Sequence, residues 1–213
     1  MKLSTSILSS ENRIKSVLKL NKTNTDYIHV DVMDGKFVED IQFETYEKVH
    51  SIHLVSYKSL DIHLMVKSPL GYIEQLSNMN IEFITFHVEI NGDKKGVIQS
   101  IHDRGYKVGL AIKPGTDINA ILPFLSKLDL VLVMSVEPGK GGQKFIDKSL
   151  KKINLLYKYK TKNKLNNLLI EVDGGINDKT LQGCVKKGAN VLVVGSYLFN
   201  HPDFADRFKK IND

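Results

Sequence analysis

Tryptophan is absent from this 213-residue chain, and cysteine occurs once. A lone Cys184 excludes an intramolecular disulfide; it fits a reducing compartment, and nothing in Gly183-Cys184-Val185 marks a nucleophile. No apolar run approaches the roughly 18 residues of a membrane span. The opening Met1-Lys2-Leu3-Ser4-Thr5-Ser6-Ile7-Leu8 is too short and too strand-like for a signal peptide, so a cytoplasmic protein without a membrane partner is expected. Acidic residues are in the minority, 24 Asp and Glu against 30 Lys and Arg, for a net charge of +6. That excess has two readings: a solvated lysine-rich surface, as in Lys158-Tyr159-Lys160-Thr161-Lys162-Asn163-Lys164, or attraction of an anionic substrate. No stacking-aromatic motif or recognition-helix pattern accompanies the basic residues, which argues against nucleic acid.

What the chain does have is alternation. Strand-like runs near 3–8, 27–32, 60–66, 82–87, 106–111, 129–134, 168–172 and 191–194 interleave with helical patterns near 11–22, 44–53, 70–79, 94–104, 117–125, 146–160, 178–188 and 203–211. Continuous apolar stretches such as Leu130-Val131-Leu132-Val133-Met134 suit strands buried on both faces. Eight such units, with no linker between them, predict one domain over 1–213 folded as a (β/α)₈ barrel. An open doubly wound sheet is the competing architecture, but it concentrates its site at one switch point. Here polar residues close several separate strands: His29 and Asp31, His63, His87, and Asp173.

In a parallel barrel those strand ends share one mouth. His29 and Asp31, two apart, point to the same side. With His63 on the neighbouring strand and Asp173 from across the mouth, they offer imidazole and carboxylate ligands for one divalent ion: zinc, iron, manganese or cobalt. Asp31 and Asp173 also suit proton removal from one face of a carbon and return to the other, through an enediolate that a cation stabilises. Alternatively both are only metal ligands or helix caps. Glycines form a second constellation in Pro138-Gly139-Lys140-Gly141-Gly142-Gln143, Asp173-Gly174-Gly175 and Gly195-Ser196. Singly each reads as a tight turn; in successive βα loops they predict a phosphate cradle. Lys140 adds charge there or points to solvent. Met33, Met65 and Met134, each at a strand end, fill the core or form an apolar ceiling over a planar intermediate. Ser6 donates to a sugar hydroxyl or satisfies backbone; His87 binds substrate or is a satisfied core imidazole.

In this order the pieces resemble the ribulose-phosphate 3-epimerase family. The matching stretches are Ser6-Ile7-Leu8-Ser9, His29-Val30-Asp31-Val32-Met33-Asp34-Gly35, Asp61-Ile62-His63-Leu64-Met65-Val66, the run from Gly109 to Thr116, Val133 to Gly139, Gly141 to Phe145, and Glu171-Val172-Asp173-Gly174-Gly175-Ile176. The resemblance implies a ribulose-phosphate-binding barrel that interconverts D-ribulose 5-phosphate and D-xylulose 5-phosphate in the pentose phosphate pathway. It implies one metal at His29, Asp31, His63 and Asp173, with Asp31 and Asp173 as the acid/base pair. Substrate contacts are implied at Ser6, His63, Gly139 to Gly142, Asp173 to Gly175 and Gly195-Ser196, and a homo-oligomer, dimer or hexamer, is expected. Two loops depart from the family: Lys36-Phe37-Val38-Glu39-Asp40 stands where His-Phe-Val-Pro-Asn is usual, and Lys140 where Phe is usual. They leave room for another ketose, such as a ketohexose 6-phosphate. Two further readings stay open: a barrel lyase using Lys113 at a strand end, and a sugar-phosphate sensor without turnover.

Overall fold

The structure, a computed structural model, describes residues 1–43 and 45–212. Eight parallel strands, β1 (Lys2–Ser6), β2 (Tyr27–Asp34), β4 (Ser59–Met65), β5 (Ile81–His87), β6 (Lys107–Ile112), β7 (Leu130–Met134), β8 (Leu169–Asp173) and β9 (Val191–Val194), run side by side in the order β1-β9-β8-β7-β6-β5-β4-β2. Pairing of Ser4 to Ser6 with Tyr27 to His29 joins β1 to β2 and closes the barrel. A short β3 (Ile41–Gln42) returns antiparallel along the end of β2. Two residues carry no readable alternation, so this strand is not visible in the sequence pattern.

Period-2 alternation divides every strand between two environments. On β2 the outward Ile28, Val30 and Val32 join the large apolar layer beneath the helices. The inward Tyr27, with Phe83, Ala111, Leu130, Leu132, Met134, Val136 and Val191, forms a smaller apolar plug inside the barrel. Beside that plug the interior is polar: Ser4, His29, Asp61, Thr85 and Glu171 are all fully buried. Gly109 leaves room for one of them, because a Cβ there would lie 2.0 Å from the Thr85 hydroxyl.

The covering helices are α1 (Arg13–Leu20), α2 (Tyr46–Val55), α3 (Pro69–Gln75), α4 (Lys94–Asp103), α5 (Lys148–Lys162), α6 (Leu181–Lys186), α7 (Ser196–Phe199) and α8 (Phe204–Asn212). Asn12 and Asp93 cap α1 and α4 by accepting from the Lys15 and Lys95 amides. The expected start of α2 at residue 44 lies outside the described residues. Three expected helices come out differently. The 70–79 pattern stops at Gln75, and Asn78 turns left-handed with φ +61°. The 117–125 pattern is two 3₁₀ pieces, Ile118–Ala120 and Leu122–Lys127, since Pro123 has no N–H with which to continue an α-helix. The 178–188 pattern contracts to α6. No helix among the described residues is long and apolar enough to cross a membrane.

Candidate active site

The C-terminal strand ends open into a cavity of about 520 Å³, counted out to its mouth and lined by residues from β1, β2, β4, β7, β8 and β9 and the loops after them. Ser6, Asp31, Met33, Met65, Met134, Asp173, Gly174, Gly175, Gly195, Ser196 and the Gly139–Gly142 loop with Lys140 all line it. His29 and His63 are fully buried just below, in the walls rather than on the surface of the cavity. His29, Asp31, His63 and Asp173 each offer one ligand atom, and these atoms lie within 4.8 Å of one another. Strand register produces this grouping, since Asp31 is level with His63, and His29 with Asp61.

Hydrogen bonds fix how each imidazole faces the group. His29 Nδ1 donates to Asp61 Oδ2 at 2.7 Å, and Ser4 Oγ donates to the same oxygen at 2.6 Å. Nδ1 therefore carries a hydrogen, and Nε2, buried and without a hydrogen-bond partner, looks at Asp31 Oδ1 across 3.4 Å. His63 Nδ1 approaches the same Asp31 oxygen at 3.1 Å. The other Asp31 oxygen accepts from Ser6 Oγ at 2.9 Å. Two imidazole nitrogens converging on one carboxylate oxygen, one of them unpartnered, fit a bound cation.

Electrostatics agree. Burial lowers the His29 pKa, but the charges of Asp61 and Asp31 outweigh it and raise it well above the ordinary value. The position calls for positive charge. Burial raises Asp31, yet the charge of His29 and the closeness of both imidazoles pull it below the usual carboxylate range. Asp173 moves the other way, to about 6, through burial and then through repulsion from Asp31. One carboxylate is held ionised and its neighbour holds a proton more readily. Glu171, deeper in the barrel, is pushed well above its ordinary value by burial and then by the charge of Asp61.

The β8 loop is made of backbone. Gly174 and Gly175 have φ of +120° and +64°, and a Cβ on Gly175 would lie 2.5 Å from the Phe145 amide nitrogen. Only glycine fits there without strain. At the rim the departures from the family pattern meet: Lys140 Nζ lies 3.9 Å from Glu39 Oε2. The 35–40 stretch is a hairpin loop pinned by Asp34, which accepts from the amides of Lys36, Phe37 and Lys67. Lys113 lines a neighbouring cleft, its Nζ 4.1 Å from the Phe37 ring centroid. Cys184 is buried, and burial pushes its thiol up to about 12. Sequence reasoning gave no role to Asp61, Glu171, Ser4 or Glu89. The first two sit two residues before His63 and Asp173, and the same alternation places them on the inward face.

Fold and site together define a (β/α)₈-barrel enzyme with a histidine–aspartate cluster beside glycine-rich loops. Residues 2–199 match the Ribulose-phosphate 3 epimerase family, and the chain belongs to it. It is 39% identical to a Schizosaccharomyces pombe protein named ribulose-phosphate 3-epimerase, over 93% of this chain and 87% of that protein. A Bacillus subtilis protein of the same name is 37% identical over 100% and 97%. A rice relative, 36% identical over 93% and 87%, is named a cytoplasmic isoform. This chain is accordingly an epimerase, an isomerase. Its backbone also resembles 3-hexulose-6-phosphate synthase from Salmonella typhimurium, with a TM-score of 0.73, 17% identity and coverage of 99% and 96%. At that identity the likeness is one of fold.

Proposed function

We propose that this protein, as one catalytic domain over residues 1–213, inverts C3 of a phosphorylated ketose, D-ribulose 5-phosphate to D-xylulose 5-phosphate. The observation that carries the reading is the pair of carboxylates Asp31 and Asp173, which reach the same cavity from β2 and β8 with ligand atoms within 4.8 Å of each other. One takes the C3 proton from its face of the sugar; the other returns a proton to the opposite face, and the roles exchange in the reverse direction. Between the two transfers the substrate is a planar enediolate. His29, Asp31, His63 and Asp173 would hold one divalent ion, of zinc, iron, manganese or cobalt, and its charge would stabilise the enediolate oxygens. Ser6 keeps Asp31 oriented by donating to Oδ2. Met33, Met65 and Met134 present apolar surface to the planar intermediate and keep water from reprotonating it. The backbone at Gly139, Gly141, Gly142, Gly174, Gly175, Gly195 and Ser196 receives the phosphate, with Lys140 at the rim.

The working protein is a cytoplasmic homo-oligomer, dimer or hexamer, acting on a small sugar phosphate. Metal-loaded protein in D₂O should place deuterium at C3 of ribulose 5-phosphate during turnover. Product formed without label at C3 would remove the two-carboxylate chemistry. A panel of ketopentose and ketohexose phosphates run on the same preparation fixes the substrate, and a preference for a ketohexose 6-phosphate would replace the pentulose assignment.

A further inference from the structure

A line of side chains leaves the centre and ends outside it. His63 Nε2 lies 2.9 Å from His87 Nε2, and His87 Nδ1 lies 3.1 Å from Glu89 Oε2. The other Glu89 oxygen accepts from the Lys113 amide at 2.8 Å and from Thr116 Oγ1 at 2.5 Å. Lys152 ties down the loop that supplies both donors, giving its ammonium hydrogens to the carbonyls of Lys113, Pro114 and Thr116. Both histidines are fully buried, and the Phe37 ring covers His87 at 4.8 Å between centroids.

Only one hydrogen fits between the two Nε2 atoms. If both rings are neutral, a single further hydrogen remains for their outer nitrogens: it sits on His87 Nδ1, facing Glu89, or on His63 Nδ1, facing Asp31. The second arrangement leaves His63 without a lone pair for a cation; the first frees it. We propose that Glu89 is a positioning residue which, through His87, holds the hydrogen of His63 on Nε2 and so turns its Nδ1 lone pair toward Asp31. This role rests on the metal reading of the centre. Glu89 touches neither the cavity nor a ligand atom, and its effect passes through two imidazoles.

Glutamine at this position gives a sharp test. The Lys113 amide can only donate, so the Gln oxygen must take that seat, and the NH₂ then faces His87 Nδ1. His87 must accept there, its Nε2 takes the hydrogen, and His63 Nδ1 is left protonated toward Asp31. Glu89→Gln should weaken Zn²⁺ binding about 10–100-fold, measured on the full chain by competition with a chromophoric chelator. Glu89→Ala, which leaves His87 free to choose, should weaken it less. A merely structural role predicts the reverse order, since glutamine preserves the shape. The tautomers can also be read in unmutated, Zn²⁺-loaded protein by ¹⁵N–¹H correlation of the ring nitrogens, so the test survives a variant that fails to fold. Hydrogens on His87 Nδ1 and His63 Nε2 are expected. Hydrogen on His87 Nε2, or glutamine binding Zn²⁺ as tightly as alanine, would overturn the assignment of Glu89 alone. Unmutated protein that binds no Zn²⁺ would overturn the metal reading, and this role with it.

Discussion

The two halves of the mouth reach the same cavity by different means. On the β2–β5 side the functional atoms belong to side chains. Asp31, His29 and His63 are buried, and each is held by another side chain: Ser6, Asp61 or His87. On the β7–β9 side the lining includes Gly139, Gly141, Gly142, Gly174, Gly175 and Gly195, which can offer only backbone. The first half is specified by where hydrogens and charges sit, the second by where the chain can bend. A change in the first half can therefore alter chemistry while the fold stands; one in the second moves the backbone and should register in binding and stability. Asp173 lies at the seam, at the end of β8 but within the ligand group of the opposite half.

The largest effect is expected at that seam. Asp173→Asn keeps the volume and removes the oxygen proposed to transfer the proton, and general acid/base groups contribute about 10²–10⁴ in rate. Turnover should fall by about that factor with the circular-dichroism melting curve little changed. Near-normal turnover would place Asp173 with the backbone half and leave Asp31 without a partner. Next comes Gly175→Ala. The added Cβ meets Phe145 backbone at 2.5 and 2.8 Å, at a φ of +64° that alanine resists. A loss of about 1–3 kcal/mol in urea unfolding is expected, with KM rising more than kcat falls. A fall in kcat at unchanged KM and stability would erase the distinction between the halves.

Legibility in the sequence divides along the same line. Strand ends stood out because their apolar runs stop at polar residues, and eight alternating units left few ways to close the sheet. His29, Asp31, His63 and Asp173 were singled out because alternation and strand order bring them to one rim. Asp61 and Glu171 obey the same alternation one layer deeper, but a carboxylate inside a strand run carries no mark of its partner, and the partners are tens of residues away. Glu89 is hidden for another reason: it lies two residues beyond the end of β5 at His87, where periodicity ends and only coordinates show which way a side chain turns. β3 and α7 are too short to leave a pattern, and the 117–125 helix was misread because amphipathic spacing persists through Pro123 while the hydrogen-bond ladder does not.

The smallest effect is expected at the rim, where both departures from the family pattern lie. Lys140 and Glu39 are 3.9 Å apart, with side chains 64% and 93% exposed. Pairs so well solvated contribute little and are screened further by salt. If Lys140 works mainly against Glu39, then Lys140→Ala and Glu39→Ala should each change KM by less than about fivefold, and the double variant should resemble either single one. Suppose instead that Lys140→Ala raises KM tenfold or more while Glu39→Ala does not, and that raising the salt narrows the gap. The lysine would then be meeting the substrate's anion directly. The backbone half would have acquired a side-chain contact of its own, and this rim would be the first place to look for a preference between pentulose and hexulose phosphates.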